Sequence, residues 1–211
     1  MNWLVRRYWQ HKLKGSDFQS LFCAPHPSEF VSLDCETTSL DPNRAELVTI
    51  AATKIIDNRI ITSQPFEVRL RAPQSLDSGS VKIHRIRHKD LLNGIDEKQA
   101  LLKLLDFIGN RPLVGYHIRY DKKILDRACL KQLGFPLPNQ LVEVSQLYHN
   151  KLVQSLPNAY FDLSLDAICK QLGLPQQTNK HDALQDAISA ALVFIRLKHG
   201  DTPRFNSSYS R

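Results

Sequence analysis

Hydrophobic and polar positions alternate first with the period of strands and later with that of helices. FVSLD (30–34), ELVTIAATKIID (46–57) and RIITSQPFEVRL (59–70) are rich in Val, Ile and Thr and are separated by turn residues. With DNR (57–59) as a hairpin turn, they predict an antiparallel three-strand meander. Helical spacing takes over in DEKQALLKLLDFIGN (96–110), followed by a short apolar strand in RPLVGY (111–116). A second helix runs through YDKKILDRACLKQLG (120–134) to the breaker FPLP. FDLSLDAICKQLGL (161–174) and DALQDAISAALVFIRLKHG (182–200) predict two more amphipathic helices, the second very apolar. A meander followed by alternating helix and strand implies an α/β protein with a mixed sheet, its meander extended by parallel strands and flanked by helices.

Both ends differ from this central region. Residues 1–28 carry Arg6, Arg7, Lys12 and Lys14 against Asp17 alone and read as a basic N-terminal extension. Trp3, Leu4, Tyr8, Trp9 and Leu13 would form one side of a short helix packed on its own domain, with APHPS as the loop that follows. Docking on a partner or an anionic surface is the second reading. Residues 29–200 form the expected single domain, and DTPRFNSSYSR (201–211) reads as a flexible tail.

Composition narrows the class. The 211 residues are 42% hydrophobic and 23% charged, as in a folded globular protein. The formal charge of +7 favours a polyanionic partner. Cys23, Cys35, Cys129 and Cys169 form no CxxC pair and no zinc-finger spacing, which fits reduced thiols in the cytoplasm. No apolar run approaches the ~18 residues of a membrane span.

Candidate chemistry lies at the end of the first strand, in FVSLDCETTSL (30–40). Strand residues i and i+2 share a face, so Asp34 and Glu36 project together while Cys35 points the other way. Two carboxylates on one face repel unless a cation, a proton or solvent intervenes. VGYHIRYD (114–121) places Asp121 where a strand turns into a helix, and HDALQDA (181–187) places Asp186 among alanines and leucines with His181 just ahead. Taken singly, Asp121 reads as a helix N-terminal residue and His181 as an exposed or capping one. Taken together, four carboxylates without a nearby cysteine suit two hard divalent ions, Mg²⁺ or Mn²⁺, ~3.5–4 Å apart and acting on a phosphodiester. His181 then suits proton abstraction from the attacking water.

These three segments, in this order, resemble the exonuclease motifs of the DEDDh 3′-to-5′ exonucleases, the group that includes the epsilon subunit of bacterial DNA polymerase III. The resemblance covers about residues 29–200 and implies a ribonuclease H-like fold. It implies that Asp34, Glu36 and Asp186 hold the water-activating metal, that Asp34 and Asp121 serve the second ion, and that His181 is the general base. By the same resemblance, the backbone at Thr37 and Thr38 would receive the 3′-terminal sugar, Tyr120 would lie near the terminal base, and Ile83 and His84 in KIHRI would pack on the last nucleotide. Ser39 and Arg85 stand where the family usually has glycine, and Tyr116-His117 replaces its usual His-Asn pair. The basic run Lys82, Arg85, Arg87 and Lys89 reads either as a phosphate contact or as a solvated loop.

The expected activity is release of 5′-mononucleotides from single-stranded or frayed 3′ ends of DNA, in proofreading, repair or clean-up. RNA trimming is the alternative, because recognition of the 2′-hydroxyl is not legible in the sequence. A noncatalytic nucleic-acid-binding or polymerase-binding module ranks below both. FQSLF (18–22) is only faintly like the short peptides that bind sliding clamps, and a five-residue match is too easily met to carry that assignment; the partners carried are 3′ ends of DNA, a DNA polymerase or sliding clamp, and no membrane.

Overall fold

A computed structural model describes residues 1, 3–155, 161–176 and 181–200. The expected tail, 201–211, lies outside the described residues. The meander is β1 (Glu29–Thr37), β2 (Leu47–Ile56) and β3 (Arg59–Arg69), paired antiparallel. Asp57 and Asn58 turn the β2–β3 hairpin with positive φ at both positions (48° and 64°), a conformation their short polar side chains tolerate. The sheet continues on the other side of β1 with β4 (Leu113–Gly115) and β5 (Leu141–Glu143), both parallel, giving the order β3-β2-β1-β4-β5.

Alternation along β1 sorts its side chains between two layers. Val31, Leu33 and Cys35 enter one core with α3 (Glu97–Ile108) and α4 (Ile118–Leu133). On the other side, Phe30 stacks on Phe194 of α7 (Ala183–His199), with ring centroids 4.7 Å apart. The helix α7 lies across β1, β2 and β4. Val144, Tyr148 and Leu152 of α5 (Val144–Ser155) join its core, as do Leu165 and Ile168 of α6 (Leu165–Gln171). The expected boundaries are close for β1 to β4, α3, α4 and α7, whereas α6 is only one buried pair of turns within its longer predicted segment. Two helices had no counterpart in the periodicity: α2 (Ser78–His84), too short to show a repeat, and α5, whose sequence YHNKL mixes polar and apolar residues evenly.

The N-terminal helix α1 (Trp3–Lys12) inverts part of its expected face. Trp9 and Leu13 pack on the core, but Trp3, Leu4 and Tyr8 are exposed. Arg6 takes the inward position between them, donating to the carbonyls of Pro138 (2.6 Å) and Phe22 (3.0 Å). Orphan carbonyls at two loop ends are satisfied by one guanidinium, which outweighs burying another apolar side chain there. FQSLF is part of this core: Leu21 and Phe22 are buried, and Phe18 stacks on Phe135. Among the described residues no helix is long and apolar enough to cross a membrane.

Candidate active site

The carboxyl end of β1 carries Asp34 and Glu36 on the face covered by α7, and α7 brings Asp186 onto them. One carboxylate oxygen from each of the three lies within 4.8 Å of the others, close enough for a single cation. Asp34 keeps some solvent exposure, whereas Glu36 is 7% exposed. Burial pushes Glu36 up to about 7, with the charges of Asp186 and Asp182 adding to the effect. The Asp34 carboxyl is driven well above the ordinary carboxylate range by burial first, then by Asp121, Asp186 and Glu36. Such a site holds concentrated, poorly solvated negative charge that a divalent cation would neutralise. Its donors are all hard oxygens, which fits Mg²⁺ or Mn²⁺.

Asp121 reaches the same region from the opposite layer. It sits in the first turn of α4, 3% exposed, outside the group of three that meet within 4.8 Å. Burial raises its carboxyl, while hydrogen bonds from backbone groups at Asp121 and Cys35 act in the other direction. The helix starts close to the strand end because Gly115 allows it: a Cβ there would lie 2.8 Å from the Leu33 carbonyl oxygen and 3.0 Å from the Ile118 side chain. Cys35 is buried in the core of the α4 layer, and burial and the neighbouring carboxylates hold its thiol protonated, so it supplies no nucleophile.

His181 is exposed, with φ 59°, and immediately precedes the residue that caps α7. It lines a cleft of about 610 Å³ together with Glu36 and His84. Asp182, not singled out by the sequence, accepts from the backbone N–H groups of Leu184 and Gln185 and adds negative charge beside Asp34 and Glu36. Its signal was the ordinary one of an aspartate preceding a helix, which points to capping alone.

The residues expected at the terminal nucleotide divide. His84 is buried and lines the cleft, while Ile83 is 44% exposed. Thr37 Oγ1 lies 2.7 Å from the Tyr120 hydroxyl, and that hydroxyl also donates to the Ser39 carbonyl. Thr38 is buried; its N–H donates to the Glu46 carbonyl and its Oγ1 pairs with Ser75 Oγ at 2.7 Å. Tyr120 and the two threonine side chains therefore fix the loop after β1. Arg127 of α4 holds the same loop by donating to the carbonyls of Pro42 and Ala45.

The family model described as Exonuclease (RNase_T) matches residues 31–194, a span containing every carboxylate and histidine above. The chain belongs to this exonuclease family. A DNA polymerase III PolC-type from Thermotoga petrophila is 29% identical over 167 residues, 79% of this chain and 12% of the relative. The DNA polymerase III subunit epsilon of Rickettsia prowazekii is 27% identical over 181 residues, 83% of this chain and 76% of the relative. The chain thus spans about an eighth of the PolC-type relative. Among solved structures, E. coli Exonuclease I with a dT13 oligonucleotide superposes with a TM-score of 0.67 at 15% identity, covering 82% of this chain and 41% of that one. The exonuclease fold is ribonuclease H-like, as the mixed five-strand sheet with flanking helices already indicates.

Proposed function

We propose that this exonuclease-family protein hydrolyses phosphodiester bonds at the 3′ end of DNA, using two divalent ions, Mg²⁺ or Mn²⁺, and releases 5′-mononucleotides. The observation that carries this reading is the convergence of Asp34, Glu36 and Asp186 within 4.8 Å beside His181 and Asp121. The bound cations would neutralise the carboxylates, polarise the phosphate and favour ionisation of water. Asp34, Glu36 and Asp186 would hold one ion, and Asp34 with Asp121 would support the other. His181 takes the proton of the attacking water; the new P–O bond forms on the terminal phosphate, the bond to the 3′ oxygen breaks, and that oxygen takes a proton from solvent and leaves as the 3′-hydroxyl of the shortened strand. Residues 29–200 are assigned as the catalytic unit and residues 1–28 as a segment added to it.

DNA is preferred over RNA because two relatives are DNA polymerase III proteins and a structural neighbour holds a deoxyoligonucleotide. The same kinship makes a DNA polymerase the candidate partner and the cytoplasm the assigned compartment. Clamp binding through FQSLF would require Leu21 and Phe22 to leave the core, so no clamp is assigned to that segment.

The test is incubation of 5′-labelled and 3′-labelled DNA and RNA oligonucleotides with the protein and Mg²⁺ or Mn²⁺. The expected result is stepwise shortening of 5′-labelled DNA with immediate mononucleotide release from the 3′ label, abolished in Asp34→Ala. Absence of mononucleotides, or activity unchanged in Asp34→Ala, would remove the assignment.

A further inference from the structure

A groove leads away from the carboxylates between α4 and the loop that joins β1 to β2. The loop lies along the helix because the Arg127 guanidinium donates to the carbonyls of Pro42 and Ala45. Near the site the groove opens into a hollow of about 520 Å³ lined by Leu40, Arg119 and Tyr120, the residue before Asp121. Farther along it opens into a second hollow of about 380 Å³ lined by Arg44, Arg127 and Lys131. From Arg119 to Lys131 the helix rises about 18 Å, so the groove extends well past the terminal nucleotide.

The basic residues of this groove follow the helical repeat. Arg119, Lys123, Arg127 and Lys131 succeed one another at intervals of four residues, which keeps them along one side of α4. Each interval rises about 6 Å, so each cation can meet its own phosphate. Arg127 holds the loop, whereas Arg119, Lys123, Lys131 and, across the groove, Arg44 are exposed. Among the described residues no ion pair or side-chain hydrogen bond engages these four. Three carboxylates also border the hollows, and each accepts from a neutral neighbour instead of a groove cation: Glu143 from the His117 N–H (2.9 Å), Glu97 from Gln132 (2.6 Å) and Glu46 from Ser75 (2.5 Å). The one acid of α4 within an ion pair, Asp126, is taken by Lys122 at 2.6 Å. Unpaired cations in a row repel one another, and a polyanion laid along them relieves that repulsion.

We propose that this groove carries the single-stranded segment of DNA upstream of the 3′ end, with Arg119, Lys123, Lys131 and Arg44 on its phosphates. A strand fits better than a compact anion because the cations are strung along the helix, and better than a lipid surface because they border a recess. The assignment rests on the exonuclease reading, which puts the 3′ end at Asp34, Glu36 and Asp186 and sends the remaining strand across the protein surface. Such contacts are independent of base sequence, and they set the affinity for long substrates without touching the scissile bond.

Fluorescence anisotropy of the full chain in EDTA, with a labelled oligothymidylate of about twenty nucleotides and a series of salt concentrations, tests the groove without turnover. Lys123→Gln/Lys131→Gln removes two exposed charges and should melt at the wild-type temperature. At about 0.1 M salt it should bind the long strand about tenfold more weakly, and the slope of log affinity against log salt should fall by about 1.4, the loss of two phosphate contacts at ~0.7 each. Lys123→Arg/Lys131→Arg should retain the affinity and the slope. In Mg²⁺, kcat/KM for the long strand should fall about tenfold in the Gln pair, while that for a thymidine dinucleotide, too short to enter the groove, should change by less than about twofold. An unchanged slope in the Gln pair would overturn the proposal, as would equal losses for the long strand and the dinucleotide, or the same loss in the Arg pair. Binding of phosphatidylglycerol vesicles that depends on the two lysines, with strand affinity unchanged, would overturn it in favour of a lipid surface. The two readings fail separately. Strand binding through Lys123 and Lys131 without degradation of any oligonucleotide removes the exonuclease reading alone, and degradation with an unchanged slope in the Gln pair removes the groove alone.

Discussion

Ser32 Oγ donates to the Ala187 carbonyl at 2.7 Å, joining strand β1 to helix α7 in the fully buried interior. Ser32 is two residues before Asp34, and Ala187 directly follows Asp186. This hydrogen bond therefore ties together, beside their carboxylates, the two elements that meet at the site. A serine at this fully buried position of the strand has a positioning role here that an alanine of similar size lacks.

Ser32→Ala leaves the Ala187 carbonyl without this donor and should lower stability by about 1–2 kcal/mol. Metal affinity should fall with it, because the spacing of Asp34 and Asp186 loosens. Urea unfolding gives the first quantity and calorimetric titration with Mn²⁺ the second. Unchanged Mn²⁺ affinity would show that packing of α7 alone fixes the spacing.

Gly115→Ala tests the close approach on the other side of β1. Its Cβ would meet the Leu33 carbonyl oxygen at 2.8 Å, so β4 or the start of α4 has to move. The expected cost is about 1–3 kcal/mol, with a larger proportional loss of exonuclease activity because Asp121 travels with α4. Comparing melting temperature with single-turnover rate separates the two effects.

The carboxylate cluster makes the metal-free protein sensitive to pH. Glu36 in the folded chain titrates at about 7 against an ordinary value of 4.5, a raised pKa. The folded state binds the proton more tightly, so this stabilisation is complete below the ordinary value and is lost as pH rises through about 7. The urea midpoint in EDTA should fall between roughly pH 5 and pH 8, and excess Mn²⁺ should reduce the fall. Glu36→Gln should flatten the dependence; a flat profile in the unsubstituted protein would contradict the burial of charge described above.

His181 and Asp186 should fail in different ways. His181 lies outside the group of oxygens within 4.8 Å, so His181→Ala should keep Mn²⁺ affinity while lowering the hydrolytic rate by about 10² to 10⁴. Asp186→Ala should lose both. Pre-steady-state rates with parallel Mn²⁺ titration distinguish these outcomes, and loss of metal affinity in His181→Ala would place the imidazole among the ligands.

Much of the frame was legible because it is local. Asp34 and Glu36 share a face through the two-residue period of a strand, and Cys35 is excluded from the site by the same period. The meander and its turn at Asp57-Asn58 follow from β-branched runs and turn chemistry. Helix α5 was less legible because, among its described side chains, burial is confined to Val144, Tyr148 and Leu152, which join the core with α6 and α7. Helix α1 was misread on one face because apolarity alone favoured Leu4 and Tyr8 inward, whereas the available partners were carbonyls that Arg6 satisfies.

The sequence by itself determined which side chains are the candidates for the chemistry, their order along the chain, and the local geometry of each short motif. The tertiary structure alone decided which of them meet. Asp186 joins Asp34 and Glu36 because α7 crosses β1 on one face, and Asp121 arrives from the other layer through the gap that Gly115 leaves. The left-handed cap at Arg85 and the unpartnered Nε2 of His84 are likewise visible only after folding. Periodicity reports neighbours a few residues apart, whereas these contacts join segments from 80 to 150 residues apart, roughly, whose approach depends on packing the whole core.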